Sequence, residues 1–233
     1  MTDRPGRSGP QSPTSNSQQQ GSNMKTLVIG AGNMGSAFVK QLHAAGHQVS
    51  VVAADPAKAE ALAAQHSGVR AVAAAGAARD QDVIVLATPY GEAVNALRSL
   101  GDVAGKVVID ITNPLTPDYM GLTIGHDTSA AEEIARAVPE AVIVKAFNTV
   151  FAQVLAAGAD FGNGQTVSVF VASDSEPAKE SVKALVRSLG FALVDAGGLK
   201  NARYLEPLGG LNIYLGYGAG QGTGIAPAWI HKA

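Results

Sequence analysis

The sequence predicts an α/β fold: a doubly wound, mostly parallel sheet with a small C-terminal extension. Three observations predict it. From Lys25 onward, short β-branched runs alternate with Ala-rich stretches of helical spacing. The runs are almost continuously Val, Ile and Leu, as expected of strands covered on both faces. The first run ends in Gly30-Ala-Gly-Asn-Met-Gly35, a glycine pattern that opens the next helix.

KTLVIG reads as a strand, MGSAFVKQLHAAG as a helix, QVSVVA as a strand and PAKAEALAAQ as a helix. Further strands are expected at 69–73, 82–87, 106–111 and 141–147, with helices at 90–100 and 129–138. The second of these opens on a capping box, Ser129-x-x-Glu132. After Val150 the rhythm predicts a helix over 150–157, a strand over 166–173, a helix from Glu176 to Leu189 and a strand over 191–196. Pro207 to Ile230 carries no charge and seven glycines, a poor membrane span that predicts a short buried helix, LNIYLGY, and a Gly-rich loop.

The expected organisation is a disordered leader (1–23, rich in Ser, Gln, Pro and Gly), a nucleotide-binding domain (24–150) and an extension (151–233) that completes the sheet and covers the acceptor site. A chain of 233 residues with 46% hydrophobic residues can bury a sizeable core. With no cysteine there is no disulfide, thiolate nucleophile or cysteine-bound metal. Five scattered histidines predict no metal site. A net charge of −2 without a basic patch gives no footprint for nucleic acid or anionic membrane, so small-molecule partners are expected. The leader lacks the apolar run of a secretory signal, which makes the cytoplasm the default location.

In the glycine loop, Gly30 permits the strand-to-helix turn, Gly32 lets backbone reach a pyrophosphate and Gly35 allows close packing, the fingerprint of a Rossmann-type NAD(P) site. The second strand ends VVAADPAK, so neither an acid nor an arginine fills the positions that select NAD or NADP. Asp55 comes late, and Lys58 is the nearby cation, with a solvated helix lysine as its competing reading. In an open α/β sheet the ligand lies beyond the carboxyl ends of strands. Those ends here carry Thr88-Pro89-Tyr-Gly-Glu92, Asp110-Ile-Thr112-Asn113 and Lys145-Ala146-Phe-Asn148-Thr149. Turn formation competes for Thr88, Thr112 and Asn113, and a helix cap competes for Asn148 and Thr149. His126 is the acid–base candidate, against a solvated loop histidine, while Tyr90 and Tyr214 could offer a proton. Asp110 reads as a base or a buried hydrogen-bonding group, and Arg203 as an anion ligand or an ion pair with Glu206.

VIGAGNMGSAF, VIVLATPYGEA, VVIDITNPL, TSAAEEIARAVPEAVIVKAFNT and VDAGGLKNARYLEPLGGLNIYLGYG together resemble the family of NADPH-dependent deazaflavin oxidoreductases, which pass hydride between NADP and coenzyme F420. The resemblance runs from Lys25 to Gly218. It implies a pyrophosphate loop at Ala31, Gly32, Asn33 and Met34, contacts from Thr88 and Glu92, a nicotinamide side at Ala146, and Lys58 near the 2′-phosphate. The family's Ser-Arg pair at the second strand tip is Ala53-Ala54 here. The expected cofactor is NADP, with NAD possible, and the expected acceptor is coenzyme F420 or a flavin. The competing readings are a reductase of a small imine or carbonyl and a non-catalytic dinucleotide-binding regulator. Hydride transfer between two rings needs positioning rather than a catalytic side chain. A homodimer is expected, because the apolar tail of a lone chain would be exposed.

Overall fold

The computed structural model describes residues 23–162 and 164–230. The expected leader, apart from Asn23, lies outside them. Six parallel strands form the main sheet: β1 (Lys25–Ile29), β2 (Gln48–Val52), β3 (Arg70–Ala71), β4 (Val83–Leu86), β5 (Val107–Asp110) and β6 (Val142–Lys145). Their order is β3-β2-β1-β4-β5-β6, with the chain reversing direction across the sheet between β1 and β4. This is the doubly wound order, and it opens a crevice where the strand order reverses. The helices are α1 (Asn33–Ala44), α2 (Pro56–Ala63), α3 (Tyr90–Ser99), α4 (Ala130–Ala137), α5 (Ala152–Ala157), α6 (Glu176–Ser188) and α7 (Ala202–Ile213).

Both faces of the sheet are buried. On one, Val28, Val51, Val85 and Ile109 meet Phe38, Leu42 and Val154; on the other, Leu27, Ile84 and Leu86 meet Leu97, Leu100 and Ile134. That double burial is why the strands carry unbroken apolar runs. Local signals set the helix starts: Asp55 caps α2, Ser129 caps α4 and Ser175 caps α6, each accepting a first-turn amide. β7 (Ser168–Val171) and β8 (Ala192–Asp195) form a separate parallel pair. The pair meets the main sheet through one antiparallel bridge, Lys145 to Ala172.

Several elements differ from the sequence expectation. The strand expected over 69–73 is only Arg70–Ala71, because it pairs with β2 through Ser50 and Val51 alone. The C-terminal helix is not a short buried LNIYLGY. It runs from Ala202 through Pro207 to Ile213 and continues as a π-helical turn over Tyr214–Gly218. Its outer side chains Tyr204, Leu211, Tyr214 and Tyr217 are exposed, while Leu205, Gly209 and Asn212 face inward. An uncharged stretch was mistaken for a buried one, although apolar helices can leave one face open. The Ser129 box forms only in part: Ser129 Oγ accepts the Glu132 amide, but the Glu132 carboxylate takes the Ser129 hydroxyl and Arg203 instead of the Ser129 amide. His43 and His47, four apart in sequence, also face different partners: His43 meets the Ser67 carbonyl, and His47 lies between Met24 and Ser188.

Candidate nucleotide and acceptor site

The glycine loop connects β1 to α1 at the crevice. Gly30 has φ +113°, and a Cβ there would lie 2.3 Å from the Ala87 carbonyl oxygen. A Cβ on Gly35 would lie 1.8 Å from the Gly30 carbonyl oxygen. These two glycines are required by the packing of β1, β4 and α1. Gly32 is different, since a Cβ there would meet nothing within 4 Å. It is exposed and starts α1 without a side-chain cap, so no side chain at the cap meets the first-turn amides. Those features fit a pyrophosphate.

β2 ends at Val52, opposite Ile29, and Gly30 donates to the Val52 carbonyl. The strand tip is therefore Ala53-Ala54, as the sequence suggested. Asp55 caps α2, its Oδ1 accepting from the Ala57 amide at 3.1 Å. Lys58 is exposed one turn into α2 and joins no ion pair among the described residues. Pro89 and Glu92 are exposed around the start of α3, which also has no side-chain cap.

The strand-end candidates converge. A cavity of about 230 Å³ is lined by Asn33 and Met34 from the loop, Asn113 after β5, Phe147, Asn148 and Phe151 after β6, and Gly209, Asn212 and Tyr217 from the C-terminal helix. None of its lining side chains is charged. Asn113 and Asn148 face each other: Asn113 Nδ2 donates to the Asn148 carbonyl at 2.8 Å, and Asn148 Nδ2 donates to Asn113 Oδ1 at 2.9 Å. Asn148 Nδ2 also donates to the Leu205 carbonyl at 2.7 Å. Asn148 is thus not a helix cap, and the N-cap of α5 is Phe151. Thr149 is not a cap either, but its carbonyl holds Asn212 at 3.1 Å.

Three of the expected site residues carry buried polar atoms without a protein partner: Thr88 Oγ1, Thr112 Oγ1 and Asn148 Oδ1. Unpaired groups of this kind are costly unless a water or a ligand meets them, and Thr26 Oγ1 on β1, away from these strand ends, is a fourth. Ala146 is fully buried, with its amide on the Asp110 carbonyl. Next to it Phe147 has φ +60°, a conformation costly for a bulky residue, and is held edge-on between Phe38 and Phe191 at 5.0 and 5.7 Å. Strain of this kind, locked by packing, aims the chain after β6 into the cavity.

His126 is elsewhere. It lies with Lys200 and Arg203 in a separate hollow of about 1020 Å³ at the start of α7, lined by none of the glycine-loop or strand-end candidates. Neither Tyr90 nor Tyr214 lines the smaller cavity. Burial, then the carboxylates of Glu133, Glu206 and Asp110, push the Tyr90 phenol above its ordinary value.

The sequence reading missed one buried cluster. Lys145, fully buried, lies 2.9 Å from Asp110 Oδ2 and 2.9 Å from Glu206 Oε1. The Glu206 carboxylate also accepts the Ala130 and Ala131 amides at 2.8 and 3.1 Å, at the positive end of α4. Glu206 is therefore not the partner of Arg203, which forks onto Glu132 at 2.8 and 2.7 Å. Asp110 is a hydrogen-bonding group within this cluster. A lone acid and a lone base ending two consecutive apolar runs were the available signal, and their register, Asp110 opposite Lys145, makes them neighbours.

The comparisons with known proteins agree with this geometry. The family profile for coenzyme F420-dependent NADP oxidoreductases matches residues 25–114. A structure from Arthrobacter sp. FB24, provisionally assigned as an F420-dependent NADP reductase, is 30% identical with a TM-score of 0.75, over 87% of this chain and 97% of that one. A hypothetical protein from Sinorhizobium meliloti is also 30% identical, with a TM-score of 0.68, over 78% of this chain and 88% of that one. The metalloreductase STEAP3 of Rattus norvegicus is 31% identical over 185 residues, 79% of this chain. The chain spans only 36% of that protein's length. A doubly wound sheet, an open glycine loop at its crevice and relatives matched along most of the chain lead to one conclusion: the chain belongs to the family of coenzyme F420-dependent NADP oxidoreductases.

Proposed function

We propose that the chain transfers hydride between NADP(H) and a deazaflavin or flavin coenzyme, with coenzyme F420 the first candidate. The observation that carries this reading is the uncharged cavity beside Asn33 and Met34. NADPH, when bound, supplies the hydride. Exchange between two flat rings depends on holding them in place, a task for which a shaped, uncharged wall suffices. Reduction of an imine or carbonyl would call for a proton donor at the acceptor. The lining side chains that could give one are the phenols of Tyr119 and Tyr217, both more than half exposed.

In this reading Gly30, Ala31, Gly32, Asn33, Met34 and Gly35 hold the pyrophosphate on the α1 amides, and Lys58 meets the 2′-phosphate. Thr88, Pro89 and Glu92 border the nucleotide. Thr112, Asn113, Ala146 and Asn148 form the nicotinamide side, and α7 with the turn after it covers the acceptor. No acid at the Ala53-Ala54 tip repels a phosphate, which supports NADP, while the missing arginine leaves NAD usable. Among the described residues no helix is long and apolar enough to cross a membrane, and the proposed location is the cytoplasm.

Two copies pair through the outer face of α7. Tyr204, Leu211, Tyr214 and Tyr217, with Tyr119 and Met120 beside them, are between 41% and 75% exposed. At about 200 Å² per large side chain this face offers roughly 700 Å², near the ~800 Å² per partner of a stable interface. A monomer in sedimentation at micromolar concentration would refute the pairing.

The test of function is a titration with NADPH and NADH, followed by oxidised F420, FMN and riboflavin in turn. Loss of reduced-nicotinamide absorbance with F420 or a flavin is expected. An unchanged spectrum with all three acceptors refutes the reading.

A further inference from the structure

The Asp110–Lys145–Glu206 cluster touches neither the glycine loop nor the cavity directly, yet hydrogen bonds connect it to the cavity wall. Resting on the nucleotide-binding reading above, we infer that Lys145 is a positioning residue that sets the nicotinamide side of the cavity before a nucleotide binds.

The bonds close a ring. Lys145 Nζ donates to the Thr112 carbonyl, and Asp110 Oδ1 accepts the Thr112 amide at 2.8 Å, so both backbone groups of Thr112 are held. The next residue, Asn113, is locked to Asn148 by the two reciprocal amide bonds. Asn148 reaches the Leu205 carbonyl, and the residue after Leu205 is Glu206, which returns to Lys145. Seven residues on β5, β6, α7 and their loops therefore hold one another. The polar atoms the ring leaves unpartnered are Thr112 Oγ1 and Asn148 Oδ1.

Stability alone is a poor account of this arrangement. A buried ion cluster is often no more stable than a well-packed apolar substitute, because desolvation offsets the attraction. What the charges add is direction: an ammonium held by two carboxylates and a carbonyl has one position, and the Thr112–Asn113 turn follows it. The α4 amides on Glu206 offset the surplus negative charge.

The test compares Glu206→Gln with Leu97→Ala. The first exchanges a carboxylate that accepts from Lys145 and two α4 amides for an amide with a single acceptor oxygen, which loosens the ring yet leaves the Asp110–Lys145 pair neutral. The second destabilises the core on the same face of the sheet without removing any hydrogen bond of the ring: Leu97 is fully buried among Leu27, Ile84 and Leu86. Four quantities are measured for each: the unfolding midpoint, the Kd for NADPH, the Kd for 2′,5′-ADP, and the fluorescence anisotropy of bound NADPH. Both variants lower the midpoint. Glu206→Gln is expected to weaken NADPH at least tenfold and to lower the anisotropy of the bound nicotinamide, while binding 2′,5′-ADP within twofold of wild type. Leu97→Ala is expected to keep all three ligand readouts. Should Glu206→Gln fail to fold, Glu206→Asp, which keeps the charge and shortens the reach, replaces it with the same expectation. Wild-type NADPH affinity and anisotropy in the Glu206 variant overturn the inference. A wild-type chain that binds no NADPH sinks this inference and the proposed function together. One that binds NADPH but reduces no deazaflavin or flavin sinks only the acceptor reading, and the comparison still decides this one.

Discussion

Replacing Gly209 with alanine tests how tightly α7 is seated on the cavity. In an ordinary helix interior this change stabilises by about 1 kcal/mol, because glycine loses more backbone freedom on folding. Here the new Cβ would lie 2.7 Å from Asn113 Oδ1, 2.9 Å from Asn148 Nδ2 and 2.9 Å from the Asn148 carbonyl oxygen. Ordinary contacts begin half an ångström or more further out, and one of the three atoms is backbone. Either α7 moves outward or the Asn113–Asn148 pair opens. Overpacking of this kind costs about 1–3 kcal/mol, and each hydrogen bond lost adds about 1 kcal/mol. Set against the helix-propensity gain, the net loss is about 1–4 kcal/mol. For a chain of this size each kcal/mol moves Tm by about 2–4 °C.

Gly91→Ala is the matched comparison. Gly91 is also helical, and its Cβ would meet nothing within 4 Å. It should gain about 0.5–1 kcal/mol. The assay is urea unfolding of both variants with unchanged slope, alongside NADPH affinity. Gly209→Ala should unfold at lower urea than wild type and Gly91→Ala at higher, with nucleotide affinity reduced in the former. If the two variants are equally stable, the seating of α7 against the asparagine pair is wrong.

Other outcomes follow from the same contacts. Gly35→Ala, whose Cβ would lie 1.8 Å from the Gly30 carbonyl oxygen, should abolish NADPH binding and lower Tm more than any surface change. Lys145→Met leaves Asp110 and Glu206 as unpaired buried carboxylates and should cost about 3–5 kcal/mol in chemical denaturation. Lys58→Ala should raise the Kd for NADPH by about 3–10-fold, worth about 0.7–1.4 kcal/mol, and leave NADH unchanged in parallel titrations. His47 is buried neutral: Nδ1 accepts from the Met24 amide and Nε2 pairs with the Ser188 hydroxyl, and burial lowers its pKa below 6.5. The unfolded chain then binds more protons near pH 6, so stability should be full above pH 6.5 and fall as the pH drops through it. His47→Gln should flatten that slope, measured as Tm against pH.

The doubly wound sheet was legible because unbroken Val, Ile and Leu runs report double burial and the Gly30–Gly35 spacing reports a strand-to-helix turn. The placement of Thr88, Thr112, Asn113 and Asn148 beyond the carboxyl ends of β4, β5 and β6 was legible for the same reason, because the apolar runs mark where each strand stops. What the sequence left hidden depends on pairing between distant segments. Asn113 and Asn148 are 35 residues apart, and Glu206 is 61 residues from Lys145, so no local pattern announces either contact. Arg203 and Glu206 stand at ideal helical spacing, yet each finds a stronger partner on α4. His126 was attractive only because a loop histidine near a capped helix looks reactive, and its place is set by a turn of φ +58° that points it to the other hollow.

A reader of the sequence divides this chain at residue 150, where the nucleotide-binding pattern ends. Glu206 shows that the division is one of pattern and not of cooperativity. It lies beyond that boundary, yet its carboxylate caps a helix of the first half and shares the ammonium that ends β6. A fragment stopping at 150 would lose that carboxylate along with the Leu205 carbonyl that holds Asn148. The nucleotide half is therefore not a portable module. Grafting it onto another acceptor domain requires carrying α7 with it.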